Sequence, residues 1–430
     1  MSDPAPLRLG IAGLGTVGAG VLKIIRRHAA LLEARAGRKI VVSAVSARTR
    51  DKDRGVPMDG YGWEDDPVAL ARRGDIDVFV ELMGGTDGPA KAAAQAAIAA
   101  GKDVITANKA MLAVHGQDLA EAAEAAGRLI RFEAAVAGGI PVVKALTEGL
   151  AGNEITRVMG VMNGTCNYIL TRMEDAHLSY DTVFDEADKL GYLEADPTLD
   201  VGGIDAAHKL TLLASIAFGT KVDFSAVSIE GIERISIDDI EHAAEMGFRI
   251  KLLGVAEMTG RGLETRMTPC LVPVTSPLGQ LAGATNMVVL EGDSVGQIVL
   301  RGAGAGEGPT ASAVMSDVMD IARGFRVSTL GQPAASLVAA KPAQAAPPAP
   351  YYIRLQLKDQ PGALAKVAAV LGEAGVSIDR MRQQGHDAAE APVLIVTHRT
   401  SQAGIAAASA ALPDTGVVLA TPVAIRIEDV

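Results

Sequence analysis

Asp205 and Lys209 stand four residues apart, a spacing that puts a carboxylate and an ammonium on one face of a helix. The helix they would share begins near Gly203. From Leu210 it reads Leu-Thr-Leu-Leu-Ala-Ser-Ile-Ala-Phe, apolar nearly all round, as in a helix buried on every side. Just upstream, a loop after Gly191 carries Glu194, Asp196 and Asp200. Two readings compete. As an exposed ion pair, Asp205 and Lys209 would contribute only about 0.3–0.5 kcal/mol and say nothing of function. Desolvated among apolar neighbours, a lysine flanked by carboxylates can instead pass a proton to a reacting oxygen while the acids hold a cationic substrate group. Charged side chains seldom sit in such surroundings without partners.

The elements that must position these groups are legible on both sides. Residues 7–12 form a short apolar strand that runs into Gly13-Leu14-Gly15-Thr16-Val17-Gly18, and a helical pattern follows over 20–27. A strand, glycine turn and helix in that order let the main chain approach a pyrophosphate and aim a helix N-terminus at its charge. The turn alone is a weak signal. A second strand over 40–46 ends at Ser46-Ala47-Arg48-Thr49, where an NAD-preferring fold places an acid for the ribose hydroxyl. No acid stands there. Arg48 suits a 2′-phosphate, which favours NADPH and leaves NAD possible; its bland reading is a solvated strand-end arginine. A third strand over 75–83 closes on Gly84-Gly85, an alanine-rich helix covers 89–100, and a fourth strand over 103–107 delivers Asn108 and Lys109 at its carboxyl end. Alternating strands and helices imply a parallel, doubly wound Rossmann-like sheet, which holds ligands at that edge.

Composition narrows the partners. A 430-residue chain with 49% apolar and 21% charged residues can bury a sizeable core and carries two to four domains on the length prior. A net charge of −11 argues against nucleic acid and anionic membranes, leaving small molecules. No basic-then-apolar leader and no apolar run of about 18 residues is present, so a cytoplasmic chain is expected. Cys166 and Cys270 cannot build a disulfide framework and are expected to be free thiols.

Gly-Tyr-x-Glu-Ala-Asp-Pro over 191–197 followed by Gly-Ile-Asp-Ala-Ala-x-Lys over 203–209 resembles the substrate-binding segment of homoserine dehydrogenases. Thr106-Ala107-Asn108-Lys109 and Asn163-Gly164-Thr165-Cys166-Asn167-Tyr168 are similar to further segments of that family, in its order. The resemblance implies NAD(P)H-dependent reduction of L-aspartate 4-semialdehyde to L-homoserine, in the pathway toward threonine, methionine and isoleucine. It implies that Lys209 donates the proton, that Lys109 lies between nicotinamide and substrate, and that Glu194, Asp200 and Asp205 take the substrate's ammonium or ordered water. Cofactor contacts then fall to Gly13, Gly15, Thr16, Val17, Gly18, Arg48, Gly84, Lys109 and Gly191. The loop 132–141 would hold a sodium-like monovalent cation through Glu133 and the carbonyls of Val136, Gly138 and Ile140; oxygen-only ligation suits a hard cation. Taken alone, its Gly-Gly is merely a turn. The glycine loop 301–310 would close over the cofactor through Gly304 and Gly306, and the long helix after it, to Arg323, would return to the first domain. Read without the resemblance, that loop is flexible and Lys109 a surface lysine.

The proline-rich segment 341–350 reads as a semi-rigid spacer before a separate module. Strands over 351–357, 376–381 and 393–398, a helix over 363–374 and Asp359-x-Pro-Gly362 at the first turn resemble the ACT domain, with ferredoxin-like βαββαβ order. That implies an amino-acid effector, L-threonine, near Asp359, Gly362, Ala363 and Leu364; the alternative is an oligomerising tail. The expected organisation is a dinucleotide-binding domain over 1–135, an α+β substrate-binding, catalytic and dimerisation domain over 136–335, a linker over 336–350 and the ACT domain over 351–430, in a homodimer or homotetramer. Two other classes stay open: a different amino-acid dehydrogenase on this fold, and an amino-acid sensor without catalysis.

Overall fold

The computed structural model describes residues 4–193, 196–343, 345–383 and 390–430. Its first layer is a six-stranded parallel sheet built from β1 (Leu7–Ala12), β2 (Ile40–Ser46), β3 (Gly62–Glu64), β4 (Val78–Glu81), β5 (Asp103–Thr106) and β6 (Ile130–Arg131), in the order β3-β2-β1-β4-β5-β6. Every residue of β4 and β5 is buried, because helices cover both faces of the sheet. The helix after the glycine turn starts at Thr16, earlier than the pattern over 20–27 suggested. Gly18 and Gly20 lie inside it for close packing: a Cβ on Gly18 would stand 2.1 Å from the Gly13 carbonyl oxygen. Glycine weakens a helix read from sequence, and here close contact outweighs propensity.

The second sheet contains β7 (Ile155–Val161), β8 (Ser228–Ile229), β9 (Phe248–Thr259), β10 (Gly262–Pro273), β11 (Thr285–Gly292), β12 (Gly296–Ala303), β13 (Tyr351–Lys358), β14 (Ile378–Gln383), β15 (Glu390–Thr397) and β16 (Val423–Ile427). Its order is β12-β11-β7-β9-β10-β16-β13-β15-β14, with β8 pairing β10. The sheet-edge strand β12 replaces what the sequence suggested was loop from 301 onward. The helix Ile204–Phe218 packs between this sheet and the helix Lys109–Ala125 of the first layer. The helix Glu307–Arg323 returns to the first layer, where Glu307 meets Lys23 at 2.8 Å.

The tail has the βαββαβ order expected, with helices Ala363–Glu373 and Gln402–Ala411 between its strands. It is not held off on a spacer. β16 pairs in parallel with β10 through Cys270↔Arg426 and Leu271↔Ile427, so one sheet runs across the junction. The linker joins the same structure: Leu263 N donates to the Lys341 carbonyl at 2.9 Å. Tyr352, Leu394, Ile425 and Ile427 belong to the same buried cluster as Leu210 and Leu252. An Ala/Pro composition signals a stiff connection, but the strand edge and the apolar surface it docks on are set far away in sequence.

Candidate active site

Asp205 lies in the first turn of Ile204–Phe218, and Lys209 follows one turn later on the same face. Lys209 is buried at 8% exposure, which rules out the surface ion-pair reading. Its Nζ donates to Asp205 Oδ2 at 2.6 Å and to the Met162 carbonyl at 2.8 Å. The other oxygen of Asp205 takes Lys109 Nζ at 2.8 Å. One carboxylate therefore bridges two ammoniums from different layers. Burial by itself pushes the Asp205 carboxyl up, but Lys209 and Lys109 overcome it and hold the group well below the usual carboxylate range.

Lys109 reaches this point because β5 ends at Thr106 and Asn108 caps the next helix, accepting from Met111 N at 3.1 Å. Asn108 also donates to the Gly85 carbonyl at 2.7 Å, joining the ends of β5 and β4. Buried Glu81 holds the Gly84 turn, accepting from Met83 N, Gly84 N and Thr106 Oγ1.

Asn163, which the sequence reading quoted only as part of a turn, occupies the centre of the acidic group. Its Oδ1 caps the helix Gly164–Ala176 by accepting from Cys166 N at 2.8 Å. Its Nδ2 donates to Asp200 Oδ1 at 2.9 Å and faces Asp205 Oδ2 at 3.4 Å. The sequence signal was present: an N-cap asparagine two residues beyond a strand. Glu194 lies outside the described residues.

A cavity of about 610 Å³ opens onto this cluster, walled by Asn163, Lys109, Asp200, Asp205 and Lys209. Val17, Gly138, Gly191, Gly304 and Gly306 form its remaining sides. A second cavity of about 690 Å³ lies on the far side of the glycine turn, with Gly13, Gly15, Arg48 and Gly84 in its wall. Lys52 and Arg54 also line it, and the sequence reading missed both. Arg54 is buried and donates to the carbonyls of Leu14, Thr49, Arg50 and Lys52, so it shapes the 49–54 loop.

The two cavities together fit a dinucleotide. An added Cβ on Gly15 would meet nothing within 4 Å, and no side chain caps the helix Thr16–Arg27, so its first amides face open space. Gly13, at φ 95°, has no room for a side chain: a Cβ would stand 2.3 Å from the Leu82 carbonyl oxygen. Thr16 is exposed and Gly18 is packed beneath the turn, and neither belongs to a cavity wall.

Glu133 is buried at 2% exposure, its oxygens accepting from Val143 N at 3.0 Å and Lys144 N at 2.8 Å. Burial and then Asp317 raise its pKa to about 7 against those amides and Lys144. The loop carrying Val136, Gly138 and Ile140 turns at Ala137, with φ 55°, and closes on the 303–304 segment through Gly139 N to the Ala303 carbonyl at 3.0 Å. Both Glu133 oxygens thus already accept main-chain amides, and the Ile140 carbonyl accepts from Val142 N at 2.8 Å, so the set is oxygen-only, the kind a hard cation takes, with part of its capacity used within the loop. Among the described residues no group of three or more His, Cys, Asp or Glu is placed to hold a metal. Cys166 and Cys270 are free and buried.

In the tail, Asp359 and Gly362 are exposed, and Gly362 precedes the helix Ala363–Glu373. Ala363 is buried in the tail's own core with Leu364 packed against it, and its N–H already donates to the Gln360 carbonyl at 3.2 Å.

Residues 141–319 match the family model described as homoserine dehydrogenase, residues 13–133 the model for its NAD binding domain, and residues 351–412 the ACT domain model. A homoserine dehydrogenase of Neisseria gonorrhoeae is 42% identical over 433 residues, covering 98% of this chain and 99% of its own. The crystal structure of a homoserine dehydrogenase from Thiobacillus denitrificans superposes with a TM-score of 0.94 at 40% identity, covering 99% of both chains. A hyperthermophilic archaeal homoserine dehydrogenase mutant in complex with NADPH matches at TM-score 0.64 and 25% identity, over 75% of this chain and 99% of that one. No helix among the described residues is long and apolar enough to cross a membrane.

Proposed function

We propose, from the premise that the chain belongs to the homoserine dehydrogenase family, that it reduces L-aspartate 4-semialdehyde to L-homoserine in the branch leading to threonine, methionine and isoleucine. It is an NAD(P)-dependent oxidoreductase with a C-terminal ACT domain. The observation that carries the reading is the Asp205 carboxylate bridging Lys109 and Lys209 in the wall of the 610 Å³ cavity.

A bound reduced nicotinamide supplies hydride to the aldehyde carbon. Negative charge then grows on the aldehyde oxygen, and preorganised cations beside it lower the barrier without moving. Lys209 is the proton donor, held in place by Met162 and Asp205. Lys109 polarises the same oxygen from the opposite layer. Glu194, Asp200 and Asp205 take the substrate ammonium through charge-assisted bonds, with Asn163 setting the spacing of the last two.

The phosphate groups are read by the Gly13–Gly18 turn, and NADPH is preferred over NADH. Arg48 and Lys52 in one cavity wall support that preference, as does the archaeal relative's complex with NADPH. Glu133 with the carbonyls of Val136, Gly138 and Ile140 holds the cation. The working units are residues 1–135, 136–335, 336–350 and 351–430, and the last binds L-threonine at its Asp359–Leu364 turn as a feedback inhibitor. A homodimer or homotetramer is supported by the sheet's two outer strands, β12 and β14, where Val299 is 38% and Met381 52% exposed.

Turnover with aspartate semialdehyde and both reduced cofactors tests the activity. Aldehyde-dependent oxidation of NADPH with equimolar homoserine formed is the expected result. Cofactor oxidation that follows some other small aldehyde or an imino acid, and not this one, would assign a different dehydrogenase.

A further inference from the structure

Asn286, in the wall of the 610 Å³ cavity, carries an amide that meets no partner. It is the second residue of β11, lies opposite Gly302 of β12, and is buried at 1% exposure. Neither its Nδ2 nor its Oδ1 is hydrogen-bonded among the described residues, and both atoms are closed to a water-sized approach, so solvent cannot satisfy them. A buried amide left unpaired costs free energy, and native structures seldom keep one without a reason.

What covers the amide is the turn between β12 and the helix Glu307–Arg323. A Cβ on Gly304 would stand 2.1 Å from Asn286 Nδ2 and 2.5 Å from its Oδ1, so the glycine lies directly on the amide. On the other side, a Cβ on Gly164 would lie 3.5 Å from Oδ1. The amide is therefore wedged between the turn that borders the cavity and the helix Gly164–Ala176, which Asn163 caps.

That turn has main-chain groups to spare. β12 ends at Ala303, whose carbonyl accepts from Gly139 N. Helix bonding starts with Thr310 N donating to the Gly306 carbonyl at 3.2 Å, and Pro309 has no N–H for Ala305. Gly304 and Ala305 thus belong to neither ladder, and Ala305 and Gly306 are exposed. Glycines at 302, 304, 306 and 308 leave the segment freer than most to change its path. A side-chain amide offers a donor and an acceptor, the complement of a peptide group.

We propose that Asn286 is a positioning residue for the cofactor: its amide bonds the main chain of Gly304 and Ala305 when that turn moves against a bound nicotinamide, and fixes the turn there. The role rests on the reading of the cavity as the nicotinamide end of a dinucleotide site. An amide unpaired in one arrangement of the turn and paired in the other penalises the first and favours the second, which biases a two-state element toward closure.

Hydrogen exchange over residues 303–306 of the full chain, together with NADPH titration followed by fluorescence, tests the role. Adenosine 2′,5′-bisphosphate, which lacks the nicotinamide half, is the control. In wild type NADPH should slow exchange in this turn by about tenfold or more, and the control should not. Asn286→Leu is close in size but cannot hydrogen-bond. It should bind NADPH about tenfold more weakly and lose that protection. Without ligand it should melt no lower than wild type, because apolar atoms replace an unpaired amide. Asn286→Ala, which adds no bulk beside Gly304, should show the same two cofactor effects if the leucine variant does not fold. Affinity and protection unchanged in both variants, with a lower melting temperature, would place the amide in the resting fold and overturn the role alone. Wild type that fails to bind NADPH overturns the cofactor reading of the cavity, and the role with it.

Discussion

At the scale of single residues, the site turns on Asp205 serving two ammoniums at once, 2.8 Å from Lys109 and 2.6 Å from Lys209. Lys209→Ala should lower kcat by roughly 10²-fold or more, the scale of a lost general acid, with the cofactor dissociation constant unchanged. A near-normal kcat would remove Lys209 from the proton-donor role. Asn163 acts through the acids, so Asn163→Ala leaves Asp200 and Asp205 free to approach or part. That variant should raise KM for the aldehyde by about tenfold with a smaller change in kcat, because the two carboxylates lose the amide that spaces them. An unchanged KM with a general fall in kcat and thermal stability would mean that Asn163 serves only as a helix cap.

At the scale of elements, each ligand-bearing loop is fixed by the strand or helix end it joins. Arg48 follows β2 in the wall of the second cavity, so Arg48→Ala should raise KM for NADPH by about tenfold and leave KM for NADH within about twofold. Equal effects on both cofactors would show that Arg48 does not read the 2′-phosphate. Lys251 ties β9 to the helix Gly164–Ala176 by donating to Asn167 Oδ1 at 2.9 Å and to the Leu281 carbonyl at 2.5 Å. Burial lowers its pKa to about 8, against the pull of Glu174. In the unfolded chain the group titrates at about 10.4, so between these values the unfolded state binds more protons. Stability contributed at this site should therefore rise with pH from about 8 to about 10. Urea unfolding at about pH 8 and about pH 10 should show wild type gaining about 2 kcal/mol relative to Lys251→Met. A difference that does not change with pH would mean that Lys251 titrates normally in the fold.

At the scale of the whole molecule, the tail is part of the substrate layer's sheet. Arg354 of β13 donates to the fully buried Asp239 at 2.6 Å, and Glu428 bonds Arg157 and Arg266 across the junction. Truncation after Ala340 would strip those partners and bare the edge of β10 together with the apolar residues beneath Tyr352 and Ile425. The shortened chain should melt at least about 5 °C lower than the full one, by calorimetry. Equal melting temperatures would show the junction to be weak. Loss of threonine sensitivity on truncation is thus an ambiguous test of regulation, and substitutions at the tail's surface separate the effects better.

By itself the sequence determined the local features whose causes lie within a few residues. The Gly13–Gly18 turn, the alternation of strand and helix through Lys109, the pairing of Asp205 with Lys209 and the βαββαβ order of the tail follow from spacing, propensity and glycine placement. The resemblance to homoserine dehydrogenases rested on the same short runs. Contacts made between distant segments were left for the tertiary structure to decide. Lys109 and Lys209 share one carboxylate because two layers pack, and Asn163 reaches Asp200 and Asp205 from 37 and 42 residues away. Arg54, which nothing in its own short stretch singles out, is buried because the carbonyls of its loop converge on it. The tail joins the central sheet because β10 has a free strand edge and apolar neighbours that no property of the linker encodes. Side-chain partners and strand edges are fixed by packing over the whole chain, and a period of two or of about 3.6 residues carries no record of which surface it will meet.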